Sequence, residues 1–167
     1  MILYLDTSTV LRVLLRQPRS LAAWDDTVYG VNYANQLLAA AVTAEQPTWL
    51  YEADDAQFLT SPALDGELVY VGSRDQHLHA VDRLTGKLRW KFKTGGRVAS
   101  APLVFDDAVV FGSSDGRLYA VAKRDGSELW RLDLGEDLAV APAFAGGRIV
   151  LGGGDGTLFV IRGGTAP

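Results

Sequence analysis

No cysteine occurs in this chain of 167 residues, which rules out disulfides, thiolate zinc sites and thiol nucleophiles together and leaves the redox compartment open. A positive balance is missing too: 16 Lys and Arg stand against 20 Asp and Glu, a formal charge of −4. No overall field gathers phosphate backbones or anionic lipids, so nucleic acid is not an expected partner. No stretch approaches the about 18 uninterrupted apolar residues of a membrane-spanning helix. The apolar opening Met1–Leu5 lacks a basic start, meets Asp6 at once and has no small-residue cleavage site after it. It does not read as a signal peptide.

What the chain has in quantity is glycine, 18 residues, many paired or beside Asp, which marks tight turns. Almost half of the residues, 48%, are hydrophobic and 22% are charged, a composition able to build one core. The turns recur with a period. The segment from Leu68 to Val81 matches Ala108 to Val121 in residue type at most positions, and Arg148 to Ile161 is a third copy. Each is led by a proline in matched context, Pro62, Pro102 and Pro142, and two units close on Trp90 and Trp130. Trp49 stands where an earlier, weaker copy would end.

Within one unit, short β-rich runs alternate with turn signals. Pro102 to Phe105 predicts a first strand, Ala108 to Gly112 a second, Arg117 to Ala122 a third and Glu128 to Leu132 a fourth. Asp115-Gly116 between the second and third reads as a two-residue hairpin turn, because glycine takes positive φ without steric cost. Four strands every 40 or so residues form the blade of a β-propeller. The fold class expected is all-β: a partial propeller of about three and a half four-stranded antiparallel blades, preceded by a short strand-helix segment.

The residues Ala80-Val81-Asp82-Arg83-Leu84-Thr85-Gly86-Lys87-Leu88-Arg89-Trp90 resemble the Ala-x-Asp-x-x-Thr-Gly-x-x-x-Trp motif of the pyrroloquinoline-quinone (PQQ)-like propeller repeats. The resemblance implies that Asp82 and Thr85 tie the third turn, that Gly86 makes it, and that Trp90 packs on the neighbouring blade. The unit ending at Trp130 keeps Ala120, Gly126 and Trp130, with Ala122 and Asp125 at the Asp and Thr positions. The unit ending at Trp49 keeps little besides Ala39 and the tryptophan, with Glu45-Gln46-Pro47 where the glycine turn should be. The array is expected to begin near Thr27 without an innermost strand and to stop near Gly163 before a last outer strand. Such an arc leaves two sheet faces uncovered, so self-association or poor solubility is expected.

Residues 1–24 are foreign to the repeat. Met1 to Leu5 predicts a strand, Asp6, Thr7 or Ser8 a cap, and Val10, Leu11, Leu14 and Leu15 one face of a helix. This opening is similar to that of PIN-domain ribonucleases of the VapC toxin type, in which the Asp after the first strand helps hold a catalytic metal. The domain division expected is 1–24 PIN-like, 25–163 propeller repeats and 164–167 tail. A PIN site needs several carboxylates brought together by a whole α/β domain. From residue 25 onward the chain is repeat, so Asp6 is read as a helix cap or an exposed side chain, and the opening as the trace of a gene fusion.

His77 and His79 share a strand face and could form a metal-ligand pair. The repeat places Tyr119 and Phe159 at the second of these positions, so His79 is read as a packing residue. Glu52, Asp54, Asp55, Glu136 and Asp137, with Lys93 and Arg97, fall in the loops expected to ring one mouth, where partners dock. Gly152-Gly153-Gly154-Asp155-Gly156 lacks the following helix and Lys-Ser/Thr of a phosphate cradle and reads as a hairpin turn. No catalytic, cofactor-binding or metal residue is assigned. The expectation is a non-enzymatic propeller segment, without cofactor, that binds a protein partner or itself. The resemblance extends to the propeller lipoproteins of outer-membrane assembly, which implies the periplasm or the outer-membrane periphery. A fragment of a PQQ-dependent dehydrogenase, a PIN-type endoribonuclease fusion and a truncated product without function are the alternatives.

Overall fold

The structure, a computed structural model, describes residues 20–44 and 46–162. They form four antiparallel sheets in chain order. The first holds β1 (Ser20–Trp24), β2 (Thr27–Val31), β3 (Leu37–Ala41) and β4 (Trp49–Tyr51). The second holds β5 (Ala63–Leu64), β6 (Leu68–Gly72), β7 (His77–Asp82) and β8 (Leu88–Lys93). The third holds β9 (Leu103–Val104), β10 (Ala108–Gly112), β11 (Arg117–Ala122) and β12 (Glu128–Asp133). The last has three strands, β13 (Ala143–Ala145), β14 (Arg148–Gly152) and β15 (Leu158–Arg162). Every strand pairs with its neighbour in sequence, and no helix occurs among the described residues. The first strands lie close to one another, β1 beside β5 and β5 beside β9, while the fourth strands stand outermost. This is the arrangement of propeller blades around an axis.

The register repeats as the sequence does. Ala39 pairs with Trp49, Ala80 with Trp90 and Ala120 with Trp130. A bulge follows Ala80 and recurs after Ala120. Alternation along each strand then sends one set of side chains to the sheet before and the other to the sheet after. Tyr29, Val31, Leu37, Ala39, Trp49 and Tyr51 of the first sheet meet Val69, Val71 and Val81 of the second. Tyr70, Leu78 and Ala80 of the second meet Val109, Phe111, Tyr119 and Val121 of the third. A smaller cluster, Val110, Leu118, Ala120, Leu138 and Leu151, joins the third sheet to the last. Burying side chains of this size contributes about 1.5–3 kcal/mol each.

Two expectations need correction. The first sheet is complete: Ser20–Trp24 pairs with Thr27–Val31 and supplies the innermost strand, so the propeller begins at or before Ser20 and not after residue 24. The chain reverses there through Asp25 at φ 49, a conformation aspartate tolerates better than most residues. The hairpin at Asp115-Gly116 is wider than two residues. Ser113 N–H donates to Arg117 O and Gly116 N–H to Ser113 O, so Ser114, Asp115 and Gly116 form the loop, with Gly116 at φ 83. That is a type of three-residue connection ending in a left-handed residue. The two end sheets also differ in the exposure of their described residues. Leu38 and Ala40, on the far side of the first sheet, are buried, whereas Leu158 and Val160 on the far side of the last are exposed. The strand-helix opening and Asp6 lie outside the described residues.

Candidate binding surface: seams, linking loops and a free edge

The seams between sheets are held by polar devices as well as apolar contact. At the first seam the Trp49 indole N–H donates to Arg83 O at 2.9 Å, and Arg83 in turn donates to Gly66 O and to the Tyr29 hydroxyl. The Arg83 guanidinium carbon also lies 5.5 Å from the centroid of Trp24, a cation–π distance. At the second seam the Trp90 indole N–H donates to Lys123 O at 2.8 Å. Lys123 Nζ stands 2.9 Å from Asp65 Oδ2, to which the Tyr70 hydroxyl also donates. Burial pushes the Asp65 carboxyl up, but it is outweighed by donation from Leu68 N–H, Lys123, Glu67 N–H and Tyr70, which leave it below the usual range. Burial and the Asp65 bond push the Tyr70 hydroxyl well up.

The third turn is tied as the resemblance implied. Asp82 Oδ1 accepts from the Thr85 hydroxyl, Thr85 N–H and Leu84 N–H, and Gly86 sits at φ 70. The Thr85 bonds hold the Asp82 carboxyl low. In the next unit Asp125 and Ser127 perform that task in place of the Asp and Thr pair.

His77 and His79 do share a face, with ring centroids 6.0 Å apart, and a single residue engages both. Asp75 Oδ2 is 2.9 Å from His79 Nε2, and the Asp75 carbonyl is 2.7 Å from His77 Nδ1. His79 is fully buried, its Nδ1 lies 2.9 Å from the Tyr51 hydroxyl across the first seam, and Phe58 meets its ring edge-on. A carboxylate only accepts, so Nε2 carries the proton and Nδ1 accepts from Tyr51. Burial lowers the His79 pKa, with Asp75 partly opposing, and burial followed by the Asp75 charge pushes the Tyr51 hydroxyl up to about 12. Both ring nitrogens are thus engaged within the protein. No group of three or more His, Asp or Glu suited to a metal ion occurs among the described residues.

The linking loops gather at one end with the β6–β7, β10–β11 and β14–β15 hairpins. Arg97 reaches Asp137 of the next loop at 3.2 Å, and Gly95 N–H donates to Asp115 Oδ2. Gln36 donates to Glu52, while Asp54, Asp55 and Lys93 are exposed. Asp137 Oδ1 is buried without a hydrogen-bond partner among the described residues. The glycine-rich run is a closed hairpin: Gly153 N–H donates to Thr157 O, and Asp155 accepts from Thr157 N–H and hydroxyl. At the other end a groove of about 590 Å³ opens between the second and third sheets, lined by Glu67, Arg89, Asp106, Lys123, Arg124 and Leu129 among others.

Sequence reasoning missed the seam partners. The seam partners come from different units, 28 residues apart for Tyr51 and His79, and pattern within one unit carries no sign of them. Arg148 and Arg162 are register partners across β14 and β15.

Repeated four-stranded sheets with a tryptophan-tied seam define a β-propeller segment of PQQ-like repeats. The family model described as outer membrane protein assembly factor BamB matches residues 8–84 and 55–165, and the chain belongs to that family. The match begins within the stretch read as PIN-like, and nothing in the comparisons supports the PIN resemblance. Among solved structures, BamB from Moraxella catarrhalis is similar at TM-score 0.69 and 20% identity, over 81% of this chain and 46% of that one. The computationally designed Ika4 protein is similar at TM-score 0.77 and 19% identity, over 88% of this chain and 92% of that one. The designed Ika8 protein is similar at TM-score 0.76 and 18% identity, over 87% of this chain and 45% of that one. The chain therefore spans a little under half the length of BamB and Ika8. The comparison with curated proteins found no match.

Proposed function

We propose that this chain is a non-catalytic scaffold whose blade loops and sheet edge bind protein. The observation that carries the reading is the commitment of its chemistry-bearing side chains to the fold. His79 is engaged by Tyr51 and Asp75, Asp65 by Lys123 and Tyr70, and Asp82 by Thr85. The groups left to meet a partner sit on the linking loops and on the last sheet. Rigid loops on a repeat framework suit recognition, because little ordering entropy is lost on binding. Membership of the BamB family supports an assembly role, with a site at the outer-membrane periphery as its compartment.

Site-specific photocrosslinking tests this. A crosslinking residue at Arg97 or Glu136 is expected to capture discrete protein adducts in cells, while one at Lys87, at the opposite end, captures few. Equal, diffuse labelling at all three positions overturns the reading.

A further inference from the structure

In each complete sheet the fourth strand is outermost, so its outer side offers backbone groups that no described residue pairs. These edges are not alike. β4 has only three residues, of which Trp49 and Tyr51 are buried at the first seam. β8 and β12 have six each. Just past β8, Thr94 N–H donates to Gln76 O, and alternation along the ladder then turns the backbones of Phe92 and Trp90 toward β7. The N–H and C=O groups of Lys91 and Lys93 therefore point outward.

The side chains at those two positions carry charge that the sheet does not balance. Lys91 and Lys93 are exposed, and their register partners in β7 are His79 and His77, so no carboxylate stands directly opposite. Neither lysine has an acidic partner among the described residues. The equivalent residues of β12 are Arg131 and Asp133, and both are neutralised within their own sheet. Arg131 lies 3.4 Å from Glu128, and Asp133 lies 3.4 Å from Arg117. β8 thus keeps two uncompensated cations on alternate residues, in a chain whose formal charge is −4.

The other face of β8 is apolar. Trp90 and Phe92 are half-buried, and the Phe92 ring lies 5.4 Å from Tyr119 and 6.0 Å from Phe111 of the third sheet. Outward backbone groups, cations on one face and an aromatic residue between them on the other specify a complement: an extended chain with a carboxylate at every second residue. Side chains of both strands would alternate with the same period, so two carboxylates meet two lysines in register. Edge lysines deter neutral and basic strands, and they deter a second β8 edge, which would set cation against cation. A strand of opposite charge meets no such barrier.

Resting on the scaffold reading above, we propose that the β8 edge receives an extended acidic segment of a partner protein by β-augmentation. Its carboxylates stand opposite Lys91 and Lys93, and the residue between them is apolar and covers Phe92. Lys93 ends β8 where the chain enters a linking loop, so the segment continues onto the loop surface.

The test uses the full chain and a short fluorescent peptide of alternating Glu and Val, read by fluorescence anisotropy with light scattering in parallel. Saturable binding is expected. Lys91→Glu with Lys93→Glu weakens it by about tenfold or more, and a peptide with Lys in place of Glu binds this double variant. Arg131→Glu, on the β12 edge, leaves binding unchanged. Lys93→Pro weakens it more than Lys93→Ala, since only the proline also removes an outward N–H. A peptide of the same composition with Glu and Val in two blocks, and an oligothymidylate of equal charge, bind clearly more weakly. Absence of saturable binding, indifference to the charge reversal, or equal binding of the block peptide or the oligothymidylate each overturns the proposal. Self-association that Lys91→Glu with Lys93→Glu abolishes gives the edge to a second copy and likewise overturns it. Should the peptide fail while crosslinks at Arg97 persist, the edge assignment falls and the scaffold reading stands.

Discussion

The indole N–H of Trp90 reaches across a seam to the carbonyl oxygen of Lys123, 33 residues later, at 2.8 Å. Trp49 repeats the contact with Arg83 at 2.9 Å. Each bond joins the outer strand of one sheet to the turn that follows the third strand of the next, so the tryptophan couples two units.

Removing that coupling has a graded effect. Trp49→Ala and Trp90→Ala are each expected to destabilise by about 3–5 kcal/mol, the range for large aromatic truncations in cores. Trp130→Ala is expected to lose clearly less, because Trp130 is exposed. Trp90→Phe keeps most of the apolar area and leaves Lys123 O without its donor, for about 1 kcal/mol. Urea unfolding of the four variants against the parent checks the order.

The turn under the tryptophan is equally constrained. A Cβ on Gly126 would lie 2.6 Å from the Trp90 ring, at a φ of +72. Gly135 has a similar φ of +76 with nothing near its Cβ position. Gly135→Ala is expected to lose only the left-handed strain, about 1–2 kcal/mol. Gly126→Ala should lose that and the indole packing besides. Thermal melts of the two variants separate the terms, and equal shifts would contradict the packing account.

Acid should weaken the first seam through His79. Its pKa in the fold is lowered from the ordinary 6.5, by burial first, with Asp75, His77, Lys91 and Tyr51 facing it. The unfolded chain therefore takes up the proton more readily. The stabilisation is full above the unfolded value and is lost as pH falls through the folded one. His79→Tyr places at this position the residue found at Tyr119, whose hydroxyl donates to Asp115 at 2.7 Å. The variant is expected to keep the Asp75 bond and to lose the pH dependence of the unfolding midpoint between pH 7 and 5.

Asp82 gives a second pH response of lower range. Its carboxyl is held below its ordinary 3.8 by the Thr85 bonds, so its contribution is full above the unfolded value and disappears as pH falls through the lowered one. Asp82→Ala is expected to destabilise by about 0.5–1.5 kcal/mol at neutral pH. The difference between the variant and the parent should shrink in acid unfolding as pH falls through the lowered value, where the side chain becomes neutral in both states.

Much of this fold was legible because the turns repeat. Ala108–Gly112 and Arg117–Ala122 were bounded correctly, since Asp106-Asp107 before them and Asp125-Gly126 after them are strong local signals. The strand Ser20–Trp24 was not, because Ser-Leu-Ala-Ala-Trp lacks a proline at the place that Pro62, Pro102 and Pro142 take in the other units and has an apolar spacing that fits either a helix or a strand. Only its pairing with Thr27–Val31, decided by the turn at Asp25, distinguishes them. His79 could be recognised as a packing residue by comparison with Tyr119 and Phe159. Its tie to Tyr51 could not, since that partner belongs to the unit with the weakest repeat. The salt bridge of Asp65 with Lys123 is hidden for the same reason of distance along the chain.

The three seam clusters shrink in chain order, from one that includes Tyr29, Trp49, Tyr51 and Phe58 to one whose buried members are Val110, Leu118, Ala120, Leu138 and Leu151. In a stacked array each unit is stabilised chiefly by its neighbours, so opening starts where that support is least. Amide exchange along this polypeptide should accordingly run as a gradient, fastest in Ala143–Arg162 and slowest around Val69–Val81. Unravelling of this polypeptide then has a direction, set by how much apolar surface each seam holds.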